Sequence, residues 1–183
     1  MRRLILLNKA IIFVLGLLLS YASAFASSDH EQNISISYGY FNLNAMAIVS
    51  GNIISHAFDK DFEDEEVDFI TASSFNIAYG FEVGKLLETG GFLTYAYVAN
   101  DINMHTISLM PKAKFNWVNK TDFRCYSQLA FGVATIFDSD TFDVEAVFHI
   151  SLIGFEFGLD TSFFFELGAG QVGSFSAGVK FSL

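Results

Sequence analysis

Three of the four histidines stand close to a hydroxyl: His56 follows Ser55, His105 precedes Thr106, and His149 lies two residues before Ser151. A hydroxyl nucleophile beside a histidine base is the pairing used by lipid hydrolases and acyltransferases. The fourth, His30, sits in a polar lead, Ser27 to Gln32, outside the strands. Adjacent or same-strand pairs do not make a triad, and no orienting acid is evident. A meeting of His105 and His149 at a barrel mouth would be the one catalytic arrangement available. Ordinary polar rim or lumen histidines are the expectation.

Two other features could carry chemistry. The run DKDFEDEEVD, Asp59 to Asp68, packs seven carboxylates into ten residues. Clustered oxygens suit a hard cation such as calcium. The run lacks the glycine turn of an EF-hand loop, so a solvated acidic loop is expected. The single Cys125 cannot form an internal disulfide and reads as a small apolar filler. No catalytic, cofactor-binding or metal-binding residue is therefore assigned, and no cofactor is expected.

The elements that would position these residues are strands. In FFFELGAGQVGSFSAGVKFSL, residues 163–183, Phe163, Phe165, Leu167 and Ala169 share one face, and Phe164, Glu166, Gly168 and Gly170 the other. After a glycine-rich tip, Phe175, Ala177, Val179, Phe181 and Leu183 alternate with Ser174, Ser176, Gly178, Lys180 and Ser182. Alternation of this kind makes a hairpin with one apolar side. The same period runs through 33–42, 69–81, 87–99, 106–118, 123–137 and 142–158. Pro111 offers no ladder donor, so a bulge or break is expected there. The parity of 142–158 flips, so a second bulge is expected near Ser151–Ile153.

About eight strands of membrane-spanning length predict an all-β fold, an eight-stranded antiparallel up-and-down transmembrane β-barrel. Residues 1–26 precede it, with Arg2, Arg3 and Lys9, an apolar stretch from Ala10 to Leu19, and Ala24-Phe25-Ala26 or Ala22-Ser23-Ala24 as the cleavage site. That is the pattern of a cleaved secretory signal peptide. No Cys near the cleavage site suggests a lipoprotein. Residues 27–183 form the barrel domain, with one long extracellular loop at 43–67. A short helix is possible in the first part of that loop, around Met46 and Val49.

Composition agrees. Hydrophobic residues make up 52% and aromatics 16%, with 22 Phe, against roughly 45–50% apolar in soluble domains. The three bases of the leader leave 7 basic and 20 acidic residues beyond it, a net charge of −13. That excludes nucleic acid as a partner, since nucleic acid needs a basic footprint.

The polar faces carry Glu82, Lys112, Lys114, Arg124, Glu156, Glu166 and Lys180. In so narrow a barrel they point into a lumen that side chains fill. Ion pairing among them is expected, because an unpaired buried charge is costly. Glycines at 80, 132, 154, 168 and 178 leave them room. Tyr79, Phe81, Phe115 and Trp117 are expected on the lipid side, as an aromatic girdle.

ISLMPKAKFNWVNK (107–120), SLIGFEFG (151–158), YGFEVGKLLETGGFLTYAY (79–97) and the closing hairpin together resemble small outer-membrane β-barrel proteins of the Bacteroidetes type. The likeness covers most of residues 75–183. Such proteins are similar in layout to the OmpA-like eight-stranded barrel domain. The resemblance implies an outer-membrane location and no defined chemistry. Many such barrels end on an aromatic residue, whereas this chain ends Phe181-Ser182-Leu183, which puts in doubt its recognition by the assembly machinery. No peptidoglycan-binding domain follows, so wall anchoring is not expected.

The function expected from these residues is a non-enzymatic integral outer-membrane protein with a structural or surface-interaction role. Its partners would be outer-membrane lipid, the barrel-assembly machinery and an extracellular partner at loop 43–67. The alternatives are an outer-leaflet lipid-modifying enzyme and a soluble periplasmic ligand-binding barrel.

Overall fold

A computed structural model describes residues 31–42, 71–99, 104–137 and 142–183. The leader 1–26, the loop 43–67 with its possible helix and acidic run, and His30 and His56 lie outside the described residues. Within the unit Gln32–Leu183, the alternating segments become eight strands: β1 (Gln32–Tyr40), β2 (Thr71–Glu82), β3 (Leu87–Ala99), β4 (Met104–Asn119), β5 (Phe123–Phe137), β6 (Phe142–Gly158), β7 (Thr161–Gly170) and β8 (Phe175–Ser182). Each pairs antiparallel with its neighbour in sequence order, and β8 pairs with β1 to close the barrel. Closure leaves no strand edge unpaired.

Alternation puts two kinds of surface on the two sides of one wall. In β1, Asn33, Ser35 and Ser37 are buried while Ile34, Ile36, Tyr38 and Tyr40 are exposed. In β7, Ser162, Phe164 and Glu166 are buried while Phe163, Phe165 and Leu167 are exposed. The interior is thus mostly polar and charged, and the exterior mostly Ile, Leu, Phe and Tyr. A small apolar cluster inside joins Ala78, Phe92, Met110, Ala130, Ala134, Val147 and Val172. This polarity is the reverse of a water-soluble domain, whose large apolar side chains are mostly buried.

Three details refine the sequence reading. Pro111 marks a local break and not a bulge: Met110 and Pro111 have no pair in the ladder with β5, while the register is the same on either side, at Leu109↔Val133 and Lys112↔Ala130. A missing N–H removes a ladder bond but adds no residue, so the register survives. The bulge on β4 lies instead between Asn116 and Val118, at Trp117. Phe81 has the outward parity of its strand yet is only 4% exposed, so it is not a free member of an aromatic girdle. The flip near Ser151–Ile153 is where the alternation placed it. The register of β6 shifts there against both β5 and β7, and Leu152 and Ile153 both face outward.

The connections at 83–86, 120–122 and 159–160 lie at the same end as Gln32 and Leu183. At the opposite end the β7–β8 turn folds over the barrel mouth. Gln171 and Val172 are buried there. Gly170 and Gly173 take φ of 132° and 125°, values that glycine adopts readily and other residues do not. Ser74 Oγ and Asn76 Nδ2 donate to the Val172 carbonyl, and Ser174 N–H donates to the Tyr40 carbonyl at 2.9 Å.

Candidate functional site: the charged interior

Glu88 opens β3, beside the tight turn at residues 83–86. Its parity matches Phe92 and Thr94, so its side chain points inward and is fully buried. Lys112 Nζ donates to Glu88 Oε1 at 2.8 Å, and Lys114 Nζ lies 3.6 Å from Glu88 Oε2. Lys114 also donates to Glu156 Oε2 at 2.9 Å. Glu156 gathers two further cations: Arg124 Nη1 at 3.2 Å and Lys180 Nζ. Ser162 Oγ donates to it as well, at 3.1 Å. Arg124 reaches on to Glu82 at 3.3 Å. One chain of ion pairs therefore runs across the lumen from β2 and β3 through β4 and β5 to β6 and β8.

Glu88 was absent from the interior charges read off the sequence, although the parity of Leu93, Tyr95 and Tyr97 places it inside. Its nearness to a turn hides the signal. With Glu88 added, four enclosed acids (82, 88, 156, 166) balance four bases (112, 114, 124, 180), where the sequence reading had three against four.

Glu166 departs from the expectation of ion pairing in another way. Its carboxylate is held by neutral donors: Tyr126 Oη at 2.6 Å, Gln128 Nε2 at 2.9 and 2.8 Å, and Ser151 Oγ at 2.7 Å. Ser176 Oγ stands at 3.5 Å. His149 Nε2 lies 3.0 Å from Ser151 Oγ and 3.8 Å from Glu166 Oε2. Tyr126 joins the two networks, because Lys114 Nζ sits 3.8 Å from its ring centroid. That attraction between cation and ring is strongest where water is excluded.

Packing closes what the charges leave open. The void among Glu88, Lys112, Lys114, Tyr126, Glu156 and Glu166 is about 10 Å³, room for one water at most. A methyl group built on Gly154 would overlap the Tyr126 ring, and one on Gly80 would overlap the Glu88 carboxylate. Those glycines make room as expected. At Gly132 and Gly168 it is neighbouring backbone that comes close.

Ser151, His149 and Glu166 are brought together, but not as a triad. In a triad the histidine bridges nucleophile and acid through its two ring nitrogens. Here Nε2 faces both, the acid binds the serine directly, and Nδ1 has no hydrogen-bond partner among the described residues. Serine and histidine are both buried. The meeting of His105 with His149 does not occur. His105 shares the outward parity of Ile107 and bonds Tyr95 on the outer wall, while His149 is 1% exposed inside. A β-sheet lies between them. Cys125 is a half-buried free thiol, and no group of three or more metal-binding side chains occurs among the described residues.

The fold and interior define a closed eight-stranded up-and-down barrel with a polar, side-chain-filled core and an apolar outer wall. No family model and no curated protein matches the chain, so the Bacteroidetes resemblance finds no support there. Among solved structures the chain is similar to the N-terminal β-barrel domain of Pseudomonas aeruginosa OprF. Identity is 12% and the TM-score 0.45, over 85% of this chain and 98% of that one.

Proposed function

We propose that this protein is an integral outer-membrane β-barrel with a non-enzymatic, structural or surface-interaction role. The observation that carries this reading is the inverted polarity of the wall. Ile36, Phe75, Leu93, Leu129, Phe131 and Phe163 are among many large apolar side chains facing outward, while the ion-paired network is sealed inside. An apolar exterior of this extent is unstable in water and matched to hydrocarbon. Closure pairs every strand with a neighbour on both sides, the arrangement a sheet needs in lipid.

In this reading residues 1–26 direct secretion, and the barrel-assembly machinery inserts residues 27–183. The loop at 43–67 meets an extracellular partner. The side chains that fill the lumen among the described residues make the barrel a pin and not a pore in this reading. A soluble ligand-binding barrel would need an interior cavity, and the central void is too small for a small-molecule ligand.

The test is fractionation of cells producing the full chain, followed by electrophoresis with and without boiling. The expected result is a protein of the outer-membrane fraction whose band shifts on boiling, with protease cleavage on intact cells confined to residues 43–67. A soluble protein with no shift would overturn the proposal.

A further inference from the structure

The turn at residues 171–174, between β7 and β8, is seated in the barrel mouth like a knob in a socket. Val172 is the one member of the interior apolar cluster that does not come from a strand; Phe92, Met110 and Val147 are among the others. Gly39 of β1 makes the seat possible, because a methyl group there would overlap the Val172 carbonyl. That carbonyl accepts from Ser74 and Asn76 of β2. Gly170 and Gly173, both at positive φ, stand on either side of Gln171 and Val172.

The seated position carries unfavourable terms. Phe41, just after β1, is the one non-glycine residue at positive φ among the described residues, at 59°. That conformation is strained for a bulky side chain. Ser174 holds Phe41 there, its N–H and Oγ donating to the Phe41 carbonyl at 3.0 and 2.9 Å. Gln171 is fully buried, yet neither its Nε2 nor its Oε1 has a hydrogen-bond partner among the described residues. The same is true of Asn76 Oδ1, Thr94 Oγ1, Ser108 Oγ and His149 Nδ1. Asn76, Thr94 and Ser108 are successive cross-strand partners on β2, β3 and β4. Each buried group without a partner costs free energy that water would return.

We propose that the β7–β8 turn is a hinged plug. It swings out on Gly170 and Gly173, draws Val172 from its socket and admits water to Gln171, Asn76, Thr94, Ser108 and His149. Relief of Phe41 and hydration of these groups offset the bonds lost from Ser74, Asn76 and Ser174. The ion-paired layer around Glu88 and Glu156 stays shut, so opening makes a vestibule and not a pore. The inference goes beyond the structural role proposed above and does not depend on what surrounds the outer wall.

The experiment is labelling of single cysteines by a small charged methanethiosulfonate reagent, followed by mass spectrometry. The protein is the full chain with Cys125→Ser, folded in detergent micelles and checked by its boiling shift. Ser108→Cys reports on the vestibule, and Ser35→Cys, which lines the central void, reports on the ion-paired layer. Ser108→Cys is expected to react slowly while Ser35→Cys does not react. Adding Gln171→Leu removes the unpartnered amide from the closed position and is expected to slow Ser108→Cys labelling by about tenfold. Adding Gly39→Ala obstructs the seat and is expected to speed it. Gln171→Leu keeps the test decisive even where Gly39→Ala does not fold. No labelling of Ser108→Cys, a rate unmoved by Gln171→Leu, or equal rates at Ser108→Cys and Ser35→Cys would each overturn the plug.

Discussion

Glu88 and Lys112 lie diagonally across the β3–β4 ladder, where Glu88 pairs in register with Lys114, and their side chains meet inside the barrel at 2.8 Å, both almost wholly buried. Glu88 also serves Lys114. Removing one member of a buried ion pair strands the other, at a cost of about 3–5 kcal/mol. Glu88→Ala is therefore expected to lower the unfolding free energy by that order, measured by urea titration of the barrel in lipid vesicles. Glu88→Leu combined with Lys112→Met is expected to recover most of the loss. An apolar pair of similar volume often replaces a buried ion pair at little cost. Equal destabilisation by the single and double variants would show that the pair itself is not what holds β3 to β4.

Among the described residues Glu166 has no Lys or Arg within ion-pair distance and depends on neutral donors from β5, β6 and β8. Glu166→Ala leaves Tyr126, Gln128 and Ser151 without their acceptor. Buried groups left unsatisfied cost about 1–3 kcal/mol each. The variant is expected to be markedly less stable than Ser151→Ala, which removes a single donor. The same unfolding titration compares them. A larger loss from Ser151→Ala would mean that the serine, and not the carboxylate, is the hub.

The two bulges of the wall are tied together through Ser127, an outward polar residue on β5. Trp117 Nε1 donates to Ser127 Oγ at 2.8 Å, and Ser127 Oγ donates to the Leu152 carbonyl at 2.6 Å. The register shifts at Trp117 on β4 and Leu152 on β6 flank it. Ser127→Ala removes both bonds and is expected to cost about 0.5–1.5 kcal/mol per bond. Trp117 is the one tryptophan in the chain. Its fluorescence is expected to move to shorter wavelength as the indole loses its polar partner. An unchanged spectrum would mean that the indole does not use this bond in the bilayer.

Much of this architecture was legible in the chain because strand period is a strong signal. Phe163 to Leu183 shows which face is apolar, and β7 and β8 have those faces. The parity change in 142–158 located a real bulge at Leu152. Trp117 was not foreseen as a bulge, because one extra residue next to a strand end leaves too few positions for parity to show it. Pro111 located a real break in the ladder with β5, without a bulge, since proline reports a missing donor and not an extra residue. Glu88 was missed beside its turn, and with it the charge balance of the interior. The reliance of Glu166 on neutral donors was not legible either. It depends on which strands face each other across the lumen, and that follows from closure and register, not from local sequence.

Trp117 also offers the most direct test of the central claim, that the outer wall faces lipid. It is 63% exposed on that wall, and no other tryptophan contributes to the signal. The measurement is quenching of its emission in vesicles, by phospholipids brominated along the acyl chain and, separately, by acrylamide in the water. The account expects strong quenching by the brominated lipids and weak quenching by acrylamide. Strong acrylamide quenching with no effect of lipid bromine would contradict it and place the aromatic wall in water.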